Sequence, residues 1–287
     1  MIEVAAGHLL TFGWLGLALA IWVALSVGSF LNVVIYRTPV ILHRQWDSEA
    51  RAILEQPEPA DTEPFNLVVP RSRCRNCASL ITAWQNIPIL SWLFLRGRCA
   101  NCNAPISLRY PLVELFTCLA SMLVLGLFGF TALGLSAVVC TWFLIALTCI
   151  DYDTQLLPDQ LTLPLLWLGL LTNTFGGFTD LGSAVIGAVA GYGFLWTTYW
   201  VFKLITGKEG MGYGDFKLFG AVGAWLGWQI LPSTILIASI IGLLYALVTL
   251  LKGKRTVAQP IPFGPFLAVA GWVSMLARDT VLSLFAL

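Results

Sequence analysis

Long apolar runs alternate with short polar breaks along this chain. Runs at 10–35, 111–129, 131–150, 160–177, 181–203, 216–229, 231–251 and 262–286 meet or approach the roughly 20 apolar residues that a membrane-spanning helix needs. The pattern predicts about eight helices, of which the sixth is the shortest and is rich in glycine. The first run is too long for a signal-peptide core. It ends in Tyr36-Arg37 without a small-residue cleavage pattern, so it is read as a retained helix.

A sizeable polar segment separates only the first two runs. Within it, 44–65 is acidic and proline-bearing, with a helical turn or two around 50–54, and is expected to be a mobile insert. Residues 66–110 hold four cysteines, several aromatics and Pro88. At about 45 residues this stretch is too small to be held by an apolar core alone, so a metal staple is expected. The chain therefore divides into a first helix (1–36), a loop region (37–110) with a tetracysteine module (66–110), and a multi-helix membrane domain (111–287).

Composition removes the soluble alternatives. With 58% hydrophobic and 11% charged residues and a mean hydropathy of +0.82, the chain lies outside the range of soluble domains. The fold class expected is an all-α polytopic membrane protein with a small cytoplasmic zinc-binding domain between helices 1 and 2. Charge then orients it. Nine arginines lie between Arg37 and Arg109, Lys203, Lys208 and Lys217 flank the loop after the fifth run, and Lys252, Lys254 and Arg255 follow the seventh. Cytoplasmic loops carry such an excess, and eight spans with the N-terminus outside put all three clusters on the cytoplasmic side, with Arg278 alone misplaced.

Cys74-Arg75-Asn76-Cys77 and Cys99-Ala100-Asn101-Cys102 form a paired C-x2-C pattern close to the spacing of tetrahedral zinc sites. Disulfides, a redox pair or free thiols are the competing readings, and a reducing cytoplasm disfavours the first. Four thiolate ligands leave no open position, so such a zinc would be structural. Cys118, Cys140 and Cys149 lie inside apolar runs and are expected to be small buried hydrophobes.

The chemistry points to carboxylates. Asp151 follows an apolar run directly, where an ionisable group is costly without a partner or water. Asp215 follows Gly212-Tyr213-Gly214 at another boundary, and its glycines allow close approach of a substrate strand. Two carboxyls that share a proton can activate water against a peptide bond. A proton relay in a transporter and plain helix-terminal charge are the alternatives. Asp153 is read as a solvated turn residue, Asp159 as a helix N-terminal charge after Pro158, and Glu114 as a charge favouring the helix dipole after Pro111. His8 and His43 flank the first run singly, and no Ser-His or metalloprotease motif is present. The glycines at 182, 187, 191, 220, 223 and 227 are expected to let helices approach closely.

Several segments in order resemble the type IV prepilin peptidases, the bifunctional leader peptidase/N-methyltransferases of type IV pilus and type II secretion systems. They are Gly28 to Arg37, Arg71-Ser72-Arg73-Cys74, Asn86-Ile87-Pro88, Arg96-Gly97-Arg98-Cys99, Arg109 to Glu114, Ile150-Asp151 to Asp159, Gly212 to Asp215 and Pro262-Phe263-Gly264-Pro265. The resemblance implies that Asp151 and Asp215 are the catalytic pair of an aspartic endopeptidase, in a peptidase domain at 111–287. It implies cleavage of the basic leader from prepilins or pseudopilins at the cytoplasmic face of the bacterial inner membrane. Methylation of the new N-terminal amine by S-adenosylmethionine would follow. The donor-binding residues are unassigned, since no dinucleotide-type glycine loop is visible. The partners implied are the substrate and the lipid bilayer, with no nucleic acid. A proton-coupled transporter with a cytoplasmic zinc module is the alternative from another class.

Overall fold

The computed structural model describes residues 13–57, 64–253 and 261–284. His8, the start of the first run, part of the acidic stretch, Lys254 and Arg255 lie outside the described residues. Ten α-helices occur among the described residues, with two isolated antiparallel bridges, Arg73 to Leu80 and Arg98 to Pro105, and no longer strand. The chain forms two compact units, Met1–Gly126 and Leu127–Leu287.

The first unit contains α1 (Gly13–Ile53), the short α2 (Leu90–Phe94) and most of α3 (Arg109–Phe128). Residues Ala24, Gly28, Leu31 and Ile35 recur at helical spacing and form the buried stripe of α1. Gly28 lets α1 close onto α3, because a Cβ there would come within 2.8 Å of the Glu114 Cα. Next to it the Asn32 Nδ2 donates to the Tyr110 carbonyl at 3.1 Å.

The structure corrects the reading of the first part of 44–65 as an insert, since α1 runs through Pro39 to Ile53. Val40, Ile41 and Leu42 carry no stop signal, and Arg51 pairs with Asp47 at 2.9 Å across one turn. Arg37 is buried on this helix and donates to the carbonyls of Asn66 at 2.8 Å and Pro70 at 2.7 Å, tying the start of the cysteine segment to α1.

The second unit holds α4 (Ala132–Thr154), α5 (Asp159–Thr174), α6 (Leu181–Thr206), α7 (Tyr213–Leu226), α8 (Leu231–Leu251), α9 (Gly264–Leu276) and α10 (Arg278–Leu284). Its centre is α7, in which every residue from Asp215 to Leu226 except Lys217 is buried. A helix apolar on all sides belongs inside a bundle, which is why the sixth run is short and glycine-rich. Its C-terminal carbonyls at Ala224 and Trp225 accept from the Asn173 Nδ2 at 2.8 and 2.9 Å.

Gly187 and Gly191 of α6 meet Gly223 and Phe219 of α7 backbone to backbone, and Gly220 faces Ala188. One expected packing glycine does not serve this way, since a Cβ on Gly182 would meet only the Asp180 carboxylate, whereas Gly227, which ends α7 at a φ of +86°, also has its backbone against Gly187. Gly223→Val is therefore expected to destabilise the fold by about 1–3 kcal/mol or more, measured as a lower unfolding midpoint in detergent, whereas Gly182→Val should leave the midpoint nearly unchanged.

Among the described residues, five helical stretches are long and apolar enough to cross a membrane: α1, α3, α4, α6 and Trp228–Leu251, which includes α8. The chain is thus an all-α membrane protein. The remaining runs form α5 and α7, of 16 and 14 residues, and the last run splits at Ala277 into α9 and α10.

Candidate active site and metal centre

Asp151 lies in the last turn of α4, which Gln155 closes in a left-handed conformation by donating its N–H to the Asp151 carbonyl at 2.9 Å. A helix C-terminus disfavours a carboxylate, so no helix-capping role accounts for Asp151. Asp215 lies in the first turn of α7. Its Oδ2 accepts the Gly212 N–H at 3.2 Å, and its own N–H donates to the Gly212 carbonyl at 3.2 Å. The glycine before it thus has a local capping function as well.

Both side chains are buried, at 5% and 6% exposure. A small cradle of Gly214, Leu157 and Gly264 lies beside them. A Cβ on Gly264, at the start of α9, would lie 2.6 Å from the Asp151 Oδ2 and 3.0 Å from the Leu157 Cδ1. A Cβ on Gly214, next to Asp215, would lie 2.5 Å from the Leu157 Cβ. Leu157 therefore fills the space between the two glycines, and Asp151 lies near enough for its charge to act on Asp215. The backbone amide of Gly264 lies against the Asp151 carboxylate. One buried oxygen on each side chain, the Asp151 Oδ2 and the Asp215 Oδ1, has no hydrogen-bond partner among the described residues. Buried carboxylate oxygens are costly to leave unsatisfied, so a site that keeps two of them open is fitted to a polar reactant.

The other acids separate from this pair. Asp153 is exposed. Asp159 is exposed in the first turn of α5 and forms an ion pair with Lys217, which adds a partner to its expected role at a helix N-terminus. Glu114 departs from its expected role as a dipole charge. It is the sixth residue of α3, is buried, bonds Ser29, and accepts the Ile89 N–H at 2.7 Å. It holds Ile89, whose φ of +59° is unusual for a β-branched residue. His43 rests edge-on against Trp46.

In the first unit, the ligand atoms of Cys74, Cys77, Cys99 and Cys102 all lie within 4.8 Å of one another. The Cys74 and Cys102 sulfurs are 3.8 Å apart. Tetrahedral zinc with Zn–S bonds of about 2.3 Å requires sulfurs about 3.8 Å apart, whereas a disulfide requires about 2 Å. None of the four is joined in a disulfide, and their spacing fits a metal rather than two disulfides.

The two knuckles match closely. Asn76 and Asn101 each donate a backbone N–H to the first cysteine of their own knuckle, at 3.4 and 3.5 Å. Their side-chain amides cross to Cys102 and Cys77, at 3.7 and 3.6 Å. Ala78 and Asn103 both turn through positive φ. Such outer bonds orient sulfur ligands and stabilise their negative charge. The Ser79 hydroxyl and amide lower the Cys77 thiol to about 6, and the amides of Cys102 and Asn101 lower Cys99. These favour the thiolate form that a metal binds.

Residues 138–247 match the type IV leader peptidase family, and residues 22–128 match the bacterial peptidase A24 N-terminal domain. Several relatives carry the name prepilin leader peptidase/N-methyltransferase. That of Aeromonas hydrophila is 54% identical over 98% of this chain and 96% of its own length. That of Stutzerimonas stutzeri is 54% identical over 91% of each chain. That of Pseudomonas aeruginosa is 49% identical over 98% of this chain and 96% of its own. The chain belongs to the type IV leader peptidase family. No solved structure matches it.

Membership of the leader peptidase family removes support for the transporter alternative. It also gives a context to two residues to which sequence reasoning attached no chemistry. Leu157 and Gly264 lie inside segments that carried the resemblance, Leu157-Pro158-Asp159 and Pro262-Phe263-Gly264-Pro265. Only the tertiary fold shows that they flank the aspartates.

Proposed function

We propose that this leader peptidase family member cleaves the basic leader of prepilins or pseudopilins with Asp151 and Asp215 as its catalytic pair, and then methylates the new N-terminus. The observation that carries the reading is the cradle in which two buried carboxylates each keep one oxygen free. Two carboxyls whose charges act on each other do not both ionise freely, so the pair would titrate as a unit and hold one proton between them during catalysis. The ionised carboxylate takes a proton from water, the water oxygen attacks the scissile carbonyl, and the protonated partner gives its proton to the departing amine. The C–N bond breaks and a C–O bond forms. The products are a free carboxyl on the leader and a free amine on the mature chain.

Eight spans with the N-terminus outside, the positive clusters in the cytoplasm of a bacterial inner membrane, and a zinc-stapled module at 66–110 complete the proposed organisation. A substrate helix lying in the bilayer would then present its leader junction at the depth of the helix ends that bear the aspartates. The four cysteines would hold zinc as a structural ion that fixes the two knuckles against each other. S-adenosylmethionine, when bound, would supply an electrophilic methyl group to the amine. No glycine-rich nucleotide loop for it is visible.

Purified protein in detergent, mixed with a prepilin peptide spanning the leader junction, should release the leader. Labelled donor with a pre-cleaved peptide beginning in phenylalanine should incorporate methyl groups. Intact peptide after incubation overturns the peptidase reading, and cleavage without incorporation leaves a peptidase alone.

A further inference from the structure

The aspartates are held by an arrangement that extends beyond the residues bearing them. Asp151 ends α4, Asp215 begins α7, and α9 begins at Gly264. Leu157, in the link from α4 to α5, touches the backbone of both Gly214 and Gly264. Gly264 is buried and has helical φ, so conformational freedom is not the reason for a glycine there. The reason is space, because any Cβ would press on the Asp151 Oδ2 and on Leu157. Contacts this short force one neighbour to move. The closer contact is with the Asp151 Oδ2, at 2.6 Å against 3.0 Å for the Leu157 Cδ1, so the Asp151 carboxylate must give way.

We propose that Gly264 and Leu157 are positioning residues that set the separation and direction of the two catalytic carboxyls. Leu157 acts as a spacer between the Asp215 turn and the start of α9. Gly264 contributes the absence of a side chain and an amide facing Asp151. The inference rests on the aspartic peptidase reading above. It adds that α9, which bears neither aspartate, helps to define the pair's geometry.

The variants Gly264→Ala, Leu157→Ala and Leu157→Met are assayed for peptide cleavage alongside the wild type and Asp215→Asn, so that the peptidase reading is checked in the same series. A misplacement of about 1 Å in a catalytic group costs on the order of 100-fold. Gly264→Ala is expected to lower kcat by about that factor with KM little changed. Leu157→Ala should lower kcat by about 10-fold through looser spacing, and Leu157→Met, which preserves volume, should keep most activity.

The distinguishing readout is the interval between the two limbs of the pH profile, which reports the interaction of the pair. Residues Gly264 to Leu276 contain no titratable side chain, Asp159 stays paired with Lys217, and no variant adds a charge. A changed interval in Gly264→Ala and Leu157→Ala therefore reports altered spacing. If Gly264→Ala does not fold, Leu157→Ala decides. Wild-type kcat in folded Gly264→Ala or Leu157→Ala overturns the proposal, and so does a loss of kcat in those two that only matches the loss of folded protein while both limbs stay in place.

Discussion

Asp151→Asn and Asp215→Asn will each reduce leader cleavage by at least roughly 10²–10⁴-fold, the range associated with loss of a positioned acid or base, while the protein still inserts in the membrane. An amide keeps the size and much of the hydrogen bonding of the carboxyl, but it can neither take a proton from water nor return one to the amine. Because the pair works as a unit, the double variant should be little worse than either single one. Asp153→Asn and Asp159→Asn are the controls. Asp153 is exposed, and the exposed ion pair of Asp159 with Lys217 belongs to a class worth about 0–1 kcal/mol. Both should cleave at rates close to wild type. An active Asp151→Asn beside an inactive Asp153→Asn would move the catalytic group by two residues and remove the cradle from the mechanism.

Those four aspartates show what the sequence could reveal. The pairing of Asp151 with Asp215 was suggested by position, because both lie at boundaries of apolar runs, and in the fold Asp151 lies near enough for its charge to act on Asp215. Their separation from Asp153 rests on burial, which follows helix rotation in the last turn of α4 and cannot be read from a polar tetrapeptide. The helical runs were legible because length and apolar content suffice to identify them. Their lengths were less so, since α7 is short where the bundle surrounds it and the last run breaks at Ala277. The continuation of α1 to Ile53 was missed because acidic and polar residues resemble a loop when the partners of Arg37 and Arg51 are unknown. Leu157 and Gly264 bear no reactive group, so their place beside the aspartates emerges only from tertiary packing. Glu114 was assigned to the helix dipole on proximity to Pro111, whereas its partner, the Ile89 amide, lies 25 residues away in sequence.

Replacing Cys74 or Cys99 by serine will remove about one zinc per chain, measured by elemental analysis of the purified protein, and will make the segment at 66–110 sensitive to protease. The two knuckles have little else to hold them against each other, although Arg37 and Glu114 anchor the segment at Asn66 and Pro70 and at Ile89. Neither the short helix Trp84–Asn86 nor α2 has a buried residue, and each knuckle closes through only a few backbone bonds, such as the Ala78 N–H to the Cys74 carbonyl at 3.0 Å and the Asn103 N–H to the Cys99 carbonyl at 3.0 Å. Binding of structural zinc supplies about 10–16 kcal/mol in small modules at neutral pH, far more than those turns can provide. A strong chelator should reproduce the protease sensitivity in the wild-type protein, and added zinc should reverse it, because the metal rather than the thiol is the stabilising group. Serine at Cys77 should act in the same way, although the Asn101 side chain that reaches it would keep a hydroxyl partner. Two disulfides in freshly isolated membranes would contradict both the zinc site and the cytoplasmic placement of the segment. The 3.8 Å separation of the Cys74 and Cys102 sulfurs argues for the metal, since sulfurs held on opposite knuckles at that distance are spaced for a shared ion rather than for a bond.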